Sequence, residues 1–277
     1  MPIFIIKSTG EREALDLEKV KRGCERSGAS RKLCSEVATQ VEKRAKDGMT
    51  TAEIYKLVFQ TLNGKAPPVA ARFTLREALF TLGPLGYNFE HYIAKVFEAY
   101  GYKTELPAEL QGVCVTHEVD VLAQKDNRVA MIECKFRNTA SDRVTIKDTM
   151  ATWARFLDLV DGAAAGKCPH LDECWIVTNS LFSGQSVQFG HCKNMVMLSW
   201  DHPRERPLPA WIDDKGLYPV TLLTGISDDV KRRLIEHDFV LLQDLAGASI
   251  DEIIQKTGVP GEIVKKCVAD AKAILRG

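Results

Sequence analysis

Long apolar runs are missing from this sequence. Stretches such as Val113–Val115 and Met195–Leu198 fall far short of the roughly 20 residues that cross a bilayer, so no membrane span is expected. The opening Met1–Pro2–Ile3–Phe4–Ile5–Ile6 has neither the basic start nor the cleavage site of a secretory signal, and a cytoplasmic location is expected. Net charge is also missing: 37 Lys and Arg balance 37 Asp and Glu. A protein that grips phosphates needs positive potential, so any nucleic-acid surface here must be a local patch. The dense cysteine spacing of a disulfide scaffold is absent too. The eight cysteines (Cys24, Cys34, Cys114, Cys134, Cys168, Cys174, Cys192 and Cys267) are scattered among apolar neighbours, which reads as reduced, mostly buried thiols. Cys168, His170, Cys174, His191 and Cys192 match no zinc-knuckle spacing. No GxxxxGK[ST] loop occurs, which leaves out the common ATPase phosphate cradle. Ser183 and Ser186 stand in no Gly-x-Ser-x-Gly elbow, which removes support for a serine hydrolase.

What is present is a chain of 277 residues, 45% hydrophobic, which suits two or three domains, each with a core. The first segment opens with a short strand over Pro2–Lys7 and a hairpin turn at Ser8–Glu11. Helical spacing follows. Leu17, Val20 and Cys24 share a face before Gly28. Leu33, Val37 and Val41 share another between Ser30 and Lys46, and Asp47–Gly48 breaks it. Thr50 and Glu53 form a capping-box pattern ahead of Ile54, Leu57, Val58 and Leu62.

Four stretches of this segment carry a family likeness: Ile5–Gly10, Leu17–Val20, Asp47–Ile54 and Val69–Phe73. They resemble the ATP-cone, the nucleotide-sensing module of ribonucleotide reductases, over roughly residues 1–85. The resemblance implies ATP or dATP as an allosteric ligand, with Lys7, Glu13, Asp16, Lys19 and Tyr55 where the family lines its pocket. Lysines there would meet phosphates and the acids would meet base or ribose. Ser8 departs from the pattern, standing where the family usually has a second basic residue.

In the middle segment, Phe89, Ile93, Val96 and Phe97 predict an amphipathic helix that ends at Gly101. Three strands are predicted after it, over Gly112–Thr116, Glu118–Ala123 and Val129–Cys134, the last two joined by a turn at Lys125–Asn127. Asp120 then lies on the second strand. Glu133 and Lys135, two residues apart on the third, share a face, while Ile132 and Cys134 point into the core. Clustered carboxylates in an apolar setting are costly unless a divalent cation neutralises them. A hard cation such as magnesium, bound by Asp120 and Glu133, could lower the pKa of an attacking water, with Lys135 orienting or deprotonating it.

Glu90 on the helix, then Asp120, then Glu133-x-Lys135, resembles the PD-(D/E)xK nucleases and among them the Mrr-like restriction endonucleases. Trp175–Val187 resembles the strand and helix that follow the core in many of them. The resemblance implies a restriction-endonuclease-like core over residues 86–215, Mg or Mn as cofactor, DNA as substrate and catalysis by Glu90, Asp120, Glu133 and Lys135. Lys147–Met150 begins the next helix without the family's glutamine.

Beyond Pro219, short helices are predicted over 228–236, 241–245, 250–256 and 261–275. Thr257–Gly258–Val259–Pro260–Gly261 resembles the turn of a helix-hairpin-helix domain, where glycines let backbone amides approach a phosphate. Lys231, Arg232 and Arg233 follow an earlier turn, Thr224–Gly225–Ile226–Ser227, and Lys265 and Lys266 follow this one. The expected whole is a multidomain α/β chain: a mostly helical ATP-cone with a short hairpin (1–85), an α/β nuclease core with a mixed sheet flanked by helices (86–215), and a small helical domain (216–277). The expected activity is Mg-dependent DNA cleavage under nucleotide control, in restriction, defence or repair. The alternative is a nucleotide-responsive DNA-binding regulator without activity. Homo-oligomerisation stays open.

Overall fold

The computed structural model describes residues 3–7, 10–83 and 89–276. Strands β1 (Phe4–Ile6) and β2 (Arg12–Ala14) form the expected hairpin, pairing Phe4 with Ala14. Ser8 and Thr9 of its turn lie outside the described residues. Helices α1 (Leu17–Arg26), α2 (Arg31–Arg44), α3 (Thr51–Asn63) and α4 (Pro67–Phe73) follow, then α5 (Leu75–Leu82). The caps explain where they start. The Asp16 side chain accepts from the amides of Glu18 and Lys19, Ser30 caps α2, and Thr50 and Glu53 complete both halves of a capping box on α3. The apolar stripes meet in a core of Ile5, Cys24, Val37, Val41, Ile54 and Leu62. Burial pushes the Cys24 thiol up to about 12, which keeps it protonated and inert.

The middle of the chain is a mixed α/β layer structure. Helix α6 (Phe89–Ala99) leads into β3 (Lys103–Glu105), the hairpin β4 (Ala108–Gln111) and β5 (Thr116–Val119), then β6 (Val121–Lys125) and β7 (Arg128–Cys134). After β8 (Arg143–Val144) come α7 (Ile146–Ala164), β9 (Glu173–Val177), β10 (Leu181–Phe182), α8 (Gly184–Cys192), β11 (Val196–Leu198) and α9 (Leu208–Lys215). The main sheet has the order β11-β9-β7-β6-β3, with β11, β9 and β7 parallel and β6 antiparallel to both neighbours. Asp126 and Asn127 both take positive φ, 49° and 62°, as a tight primed turn between β6 and β7 requires.

Two predicted strand boundaries are corrected. Gly112–Val115 is a loop between β4 and β5, because Asp158 on α7 claims its amides: the Cys114 amide donates to Asp158 Oδ1 (2.8 Å) and the Val113 amide to its carbonyl (3.0 Å). Amides so engaged cannot join a ladder. The predicted strand over Glu118–Ala123 is interrupted at Asp120, where the chain leaves its pairing with β4 and takes up pairing with β7. Asp120 therefore sits on the joint between two strands, a place where a side chain can be aimed independently of either pleat.

The C-terminal part contains α10 (Asp228–Glu236), α11 (Leu242–Gly247), α12 (Ile250–Thr257) and α13 (Gly261–Arg276). Two compact units divide the chain: one joins Met1–Ala78 with Val220–Val230 and Leu242–Gly277, the other joins Leu79–Pro219 with Lys231–Leu241. In the first, α13 packs on α4. The buried Arg72 donates there to the carbonyls of Ser27 (3.0 Å) and Ile274 (2.9 Å). No helix among the described residues is long and apolar enough to cross a membrane.

Candidate active site and nucleotide site

Strand β7 is buried on both faces, and the alternation of its side chains decides what each face meets. Ile132 pairs in register with Trp175, whose ring lies 5.1 Å from that of Phe97 on α6. The Ile132 face therefore belongs to α6. Met131 belongs to the opposite cluster, with Phe156 and Leu159 of α7. Glu133 shares the Met131 face and so points toward α7, 3% exposed.

Backbone bonds hold the strand's end. The Lys135 amide donates to the Val177 carbonyl (2.7 Å) and its own carbonyl accepts from the Thr178 hydroxyl (2.6 Å). Two residues on, Asn179 clasps the main chain of Arg137, accepting from its amide (2.8 Å) and donating to its carbonyl (2.9 Å). Asn179 is fully buried, so both bonds are made away from water. The Arg137 side chain pairs with Asp148, which also closes the N-terminal capping box of α7.

On this frame three of the four expected residues come together. Glu133 Oε1 pairs closely with Lys135 Nζ. Asp120 Oδ2 accepts from the amide of Cys134, between them, at 2.7 Å. Burial first, and then the charges of Glu133 and Glu90, push the Asp120 carboxyl up to about 6, against the opposing pull of the Cys134 amide and Lys135. Glu90, in the first turn of α6, reaches the cluster through its charge on Asp120. Sequence reasoning missed Arg155, whose Nη1 pairs closely with Glu133 Oε2 and also reaches the Glu118 carbonyl (3.3 Å). One signal was available: Arg155 follows Thr152 and precedes Phe156 on the buried stripe of α7, a place where a cation needs a partner.

Among the described residues no group of three or more His, Cys, Asp or Glu side chains is placed to hold a metal ion. Magnesium does not demand one, since it keeps several waters and uses one or two carboxylates together with substrate phosphates. The donor set fits that pattern: Asp120 and Glu133 are adjacent, and their mutual repulsion is what a cation would relieve.

At the N-terminal end, Lys7 Nζ lies 2.7 Å from Glu13 Oε2, and Lys19 Nζ lies 3.4 Å from Glu13 Oε1. Asp16 caps α1 beside them and faces Arg22 at 3.7 Å. Four of the five expected pocket residues therefore sit in one stretch of hairpin and helix start. Tyr55 is engaged elsewhere, stacked on Phe73 with its hydroxyl within hydrogen-bond distance of the Phe73 carbonyl (3.0 Å) and of Glu77 (2.6 Å), one proton serving the two. At the C-terminal turns, Gly258 takes the left-handed conformation (φ 63°) that ends α12. Lys265 pairs with Glu262, and Lys266 reaches the Gly225 carbonyl at 3.5 Å.

Family models match in sequence order: the ATP cone domain at residues 3–78, a restriction endonuclease domain at 85–202, and the AF1548-like C-terminal domain at 218–275. A solved structure titled as the crystal structure of AF1548, a protein of unknown function, resembles the chain with a TM-score of 0.59 and 29% identity, covering 72% of this chain and 99% of that one. An uncharacterized protein of Archaeoglobus fulgidus is 30% identical over 183 residues, spanning 66% of this chain and 99% of the relative. The chain thus belongs to the family of that Archaeoglobus protein, and carries an ATP cone, a restriction-endonuclease domain and an AF1548-like C-terminal domain in one polypeptide.

Proposed function

We propose that this protein is a magnesium- or manganese-dependent DNA endonuclease of the PD-(D/E)xK type, controlled by ATP or dATP bound to its N-terminal domain. The observation that carries the reading is the convergence of Asp120, Glu133 and Lys135 at the end of β7, with Asp120 destabilised as an anion first by burial and then by its acidic neighbours. Asp120 and Glu133 would hold the divalent ion, which supplies Lewis-acid stabilisation of the phosphoryl oxygens and a more acidic water. Lys135, fixed through its own backbone, would orient that water or offset the charge that develops on the phosphate. Glu90 would support the cluster from α6. The bonds from Asn179 to Arg137 keep the strand end from relaxing under the repulsion of the carboxylates. Lys7 and Lys19 would take the nucleotide phosphates, exchanging Glu13 for the ligand, with Asp16 beside them, and Tyr55 would join the pocket by giving up its bonds to Phe73 and Glu77. A nucleotide affects cleavage only if it binds one conformation or assembly better than another. Domains at 1–85, 86–215 and 216–277 are the division we propose, the last contacting DNA.

The test is supercoiled plasmid incubated with full-length protein and Mg²⁺, with and without ATP or dATP. Nicking or linearisation that Asp120→Ala and Lys135→Ala abolish is the expected result. If the unaltered protein and both variants are equally inert under every nucleotide condition, the enzyme reading fails and a DNA-binding regulator replaces it. Calorimetric titration of the full chain with ATP and dATP checks the sensing role, which the absence of heat with both would remove.

A further inference from the structure

Glu133 is 3% exposed and faces two cations. Its two carboxylate oxygens are divided between two cations, Lys135 on Oε1 and Arg155 on Oε2. Its neighbour Asp120 meanwhile accepts one backbone amide, that of Cys134 (2.7 Å). Each Glu133 oxygen keeps a second lone pair, but an ammonium and a guanidinium packed against the carboxylate repel a divalent ion and offset the charge that would attract it, so the ion binds better once one of them has moved away. The two cations are not equally free to leave. Lys135 is pinned at its backbone by bonds to Val177 and Thr178, and its side chain follows Glu133 by only two residues on the same face. Arg155 comes from α7 on a long side chain that is 32% exposed, against 27% for Lys135, and on leaving it gives up a second contact, to the Glu118 carbonyl (3.3 Å). A guanidinium also has a better destination than an ammonium, because its planar fork matches two oxygens of a phosphodiester.

We propose that Arg155 is a substrate-sensing guard on Glu133: it occupies the metal-binding carboxylate until a DNA phosphodiester arrives, then moves onto that phosphodiester and releases Glu133 for the divalent ion. The inference rests on the nuclease reading of this site and adds an order of events, in which DNA and metal bind with positive coupling. Such coupling is reciprocal, so DNA must tighten metal binding by the same factor by which metal tightens DNA binding. It also restrains the unoccupied enzyme, since without DNA the charge balance around Glu133 is met internally.

The experiment is calorimetric titration of full-length protein with Mn²⁺ alone and with Mn²⁺ in the presence of a short duplex. Arg155→Gln, Arg155→Lys and Asp120→Asn run alongside. Without DNA, Arg155→Gln is expected to bind Mn²⁺ about tenfold more tightly than the unaltered protein, the equivalent of one charge-assisted hydrogen bond. DNA is expected to tighten Mn²⁺ binding in both, through the phosphate's own ligation of the ion, and by about tenfold more in the unaltered protein than in Arg155→Gln. Arg155→Lys keeps a cation at the position and is expected to behave as a partial guard, with intermediate affinity, which separates the charge from any loss of packing. Equal Mn²⁺ affinity in Arg155→Gln and the unaltered protein, with Asp120→Asn abolishing binding, overturns the guard and leaves the nuclease standing. Mn²⁺ binding that is absent from every form, Arg155→Gln included, overturns both.

Discussion

Asp120→Asn is expected to stabilise the protein at alkaline pH in the absence of metal. In the unfolded chain this carboxyl ionises near 3.8, whereas in the fold burial and the charges of Glu133 and Glu90 push it up to about 6. Each tenfold change in proton affinity is worth about 1.4 kcal/mol, so the full penalty on the ionised form is about 3 kcal/mol. Asp120 is only partly buried, and solvent screening reduces the expected gain to about 1–2 kcal/mol. The sign follows from linkage. Below 3.8 the carboxyl is protonated in both states and costs nothing. The penalty grows as pH rises through the interval and is complete above about 6. An asparagine carries no such charge and can still accept from the Cys134 amide, so the variant's advantage is present at pH 8 and vanishes toward pH 4. Thermal unfolding reads it as an upward shift of about 2–6 °C at pH 8. Adding Mn²⁺ reverses the order, because only the unaltered protein gains from ligand binding. A variant that melts at or below the unaltered protein at pH 8, or whose advantage persists at pH 4, refutes the electrostatic account of the site.

Two further outcomes follow from the same geometry. Mn²⁺ affinity, measured by calorimetry, should be level above about pH 6 and fall about tenfold for each pH unit below it, since one proton must leave Asp120 for the ion to bind; a flat profile between pH 5 and 7 would exclude Asp120 as a ligand. Gly28→Ala should cost about 1–3 kcal/mol in chemical denaturation, because Gly28 takes φ +81° and a Cβ there would stand 2.8 Å from Arg72 Nη2; unchanged stability would mean that the Arg72 pocket is loose.

Much of this arrangement was legible in the residues, for identifiable reasons. The helices of the first segment have capping residues and apolar spacing that agree with one another, so Asp16, Ser30 and Thr50 start helices where the pattern changes. The Glu133–Lys135 pair was legible because a strand's period of two leaves no choice of face. What escaped was set by partners distant in sequence. Nothing local to Gly112–Val115 announces that Asp158, on a helix more than forty residues later, takes its amides. Strand propensity alone therefore extends the strand too far. The break at Asp120 is likewise a tertiary event, a change of pairing partner from β4 to β7. Arg155 shows the same limit: its place on the buried stripe of α7 says that it needs a partner, and only the fold supplies the buried acid opposite it.

Arg72 explains why the chain's two ends share one compact unit. A buried guanidinium is expensive, and one without a carboxylate partner more so. Arg72 is 8% exposed, and its Nη2 has no hydrogen-bond partner among the described residues. Its two bonds explain the burial. One acceptor is the carbonyl of Ser27, the C-cap of α1, and the other is the carbonyl of Ile274 in the last turn of α13. Both lie at the negative ends of helices, where unsatisfied carbonyls and the aligned peptide dipoles favour a cation. Two helix termini, from opposite ends of the sequence, thus supply between them the partial negative charge that a carboxylate would otherwise provide. The ATP cone gains a neutralised arginine and the C-terminal helix gains a fixed end, and neither segment could supply both acceptors alone.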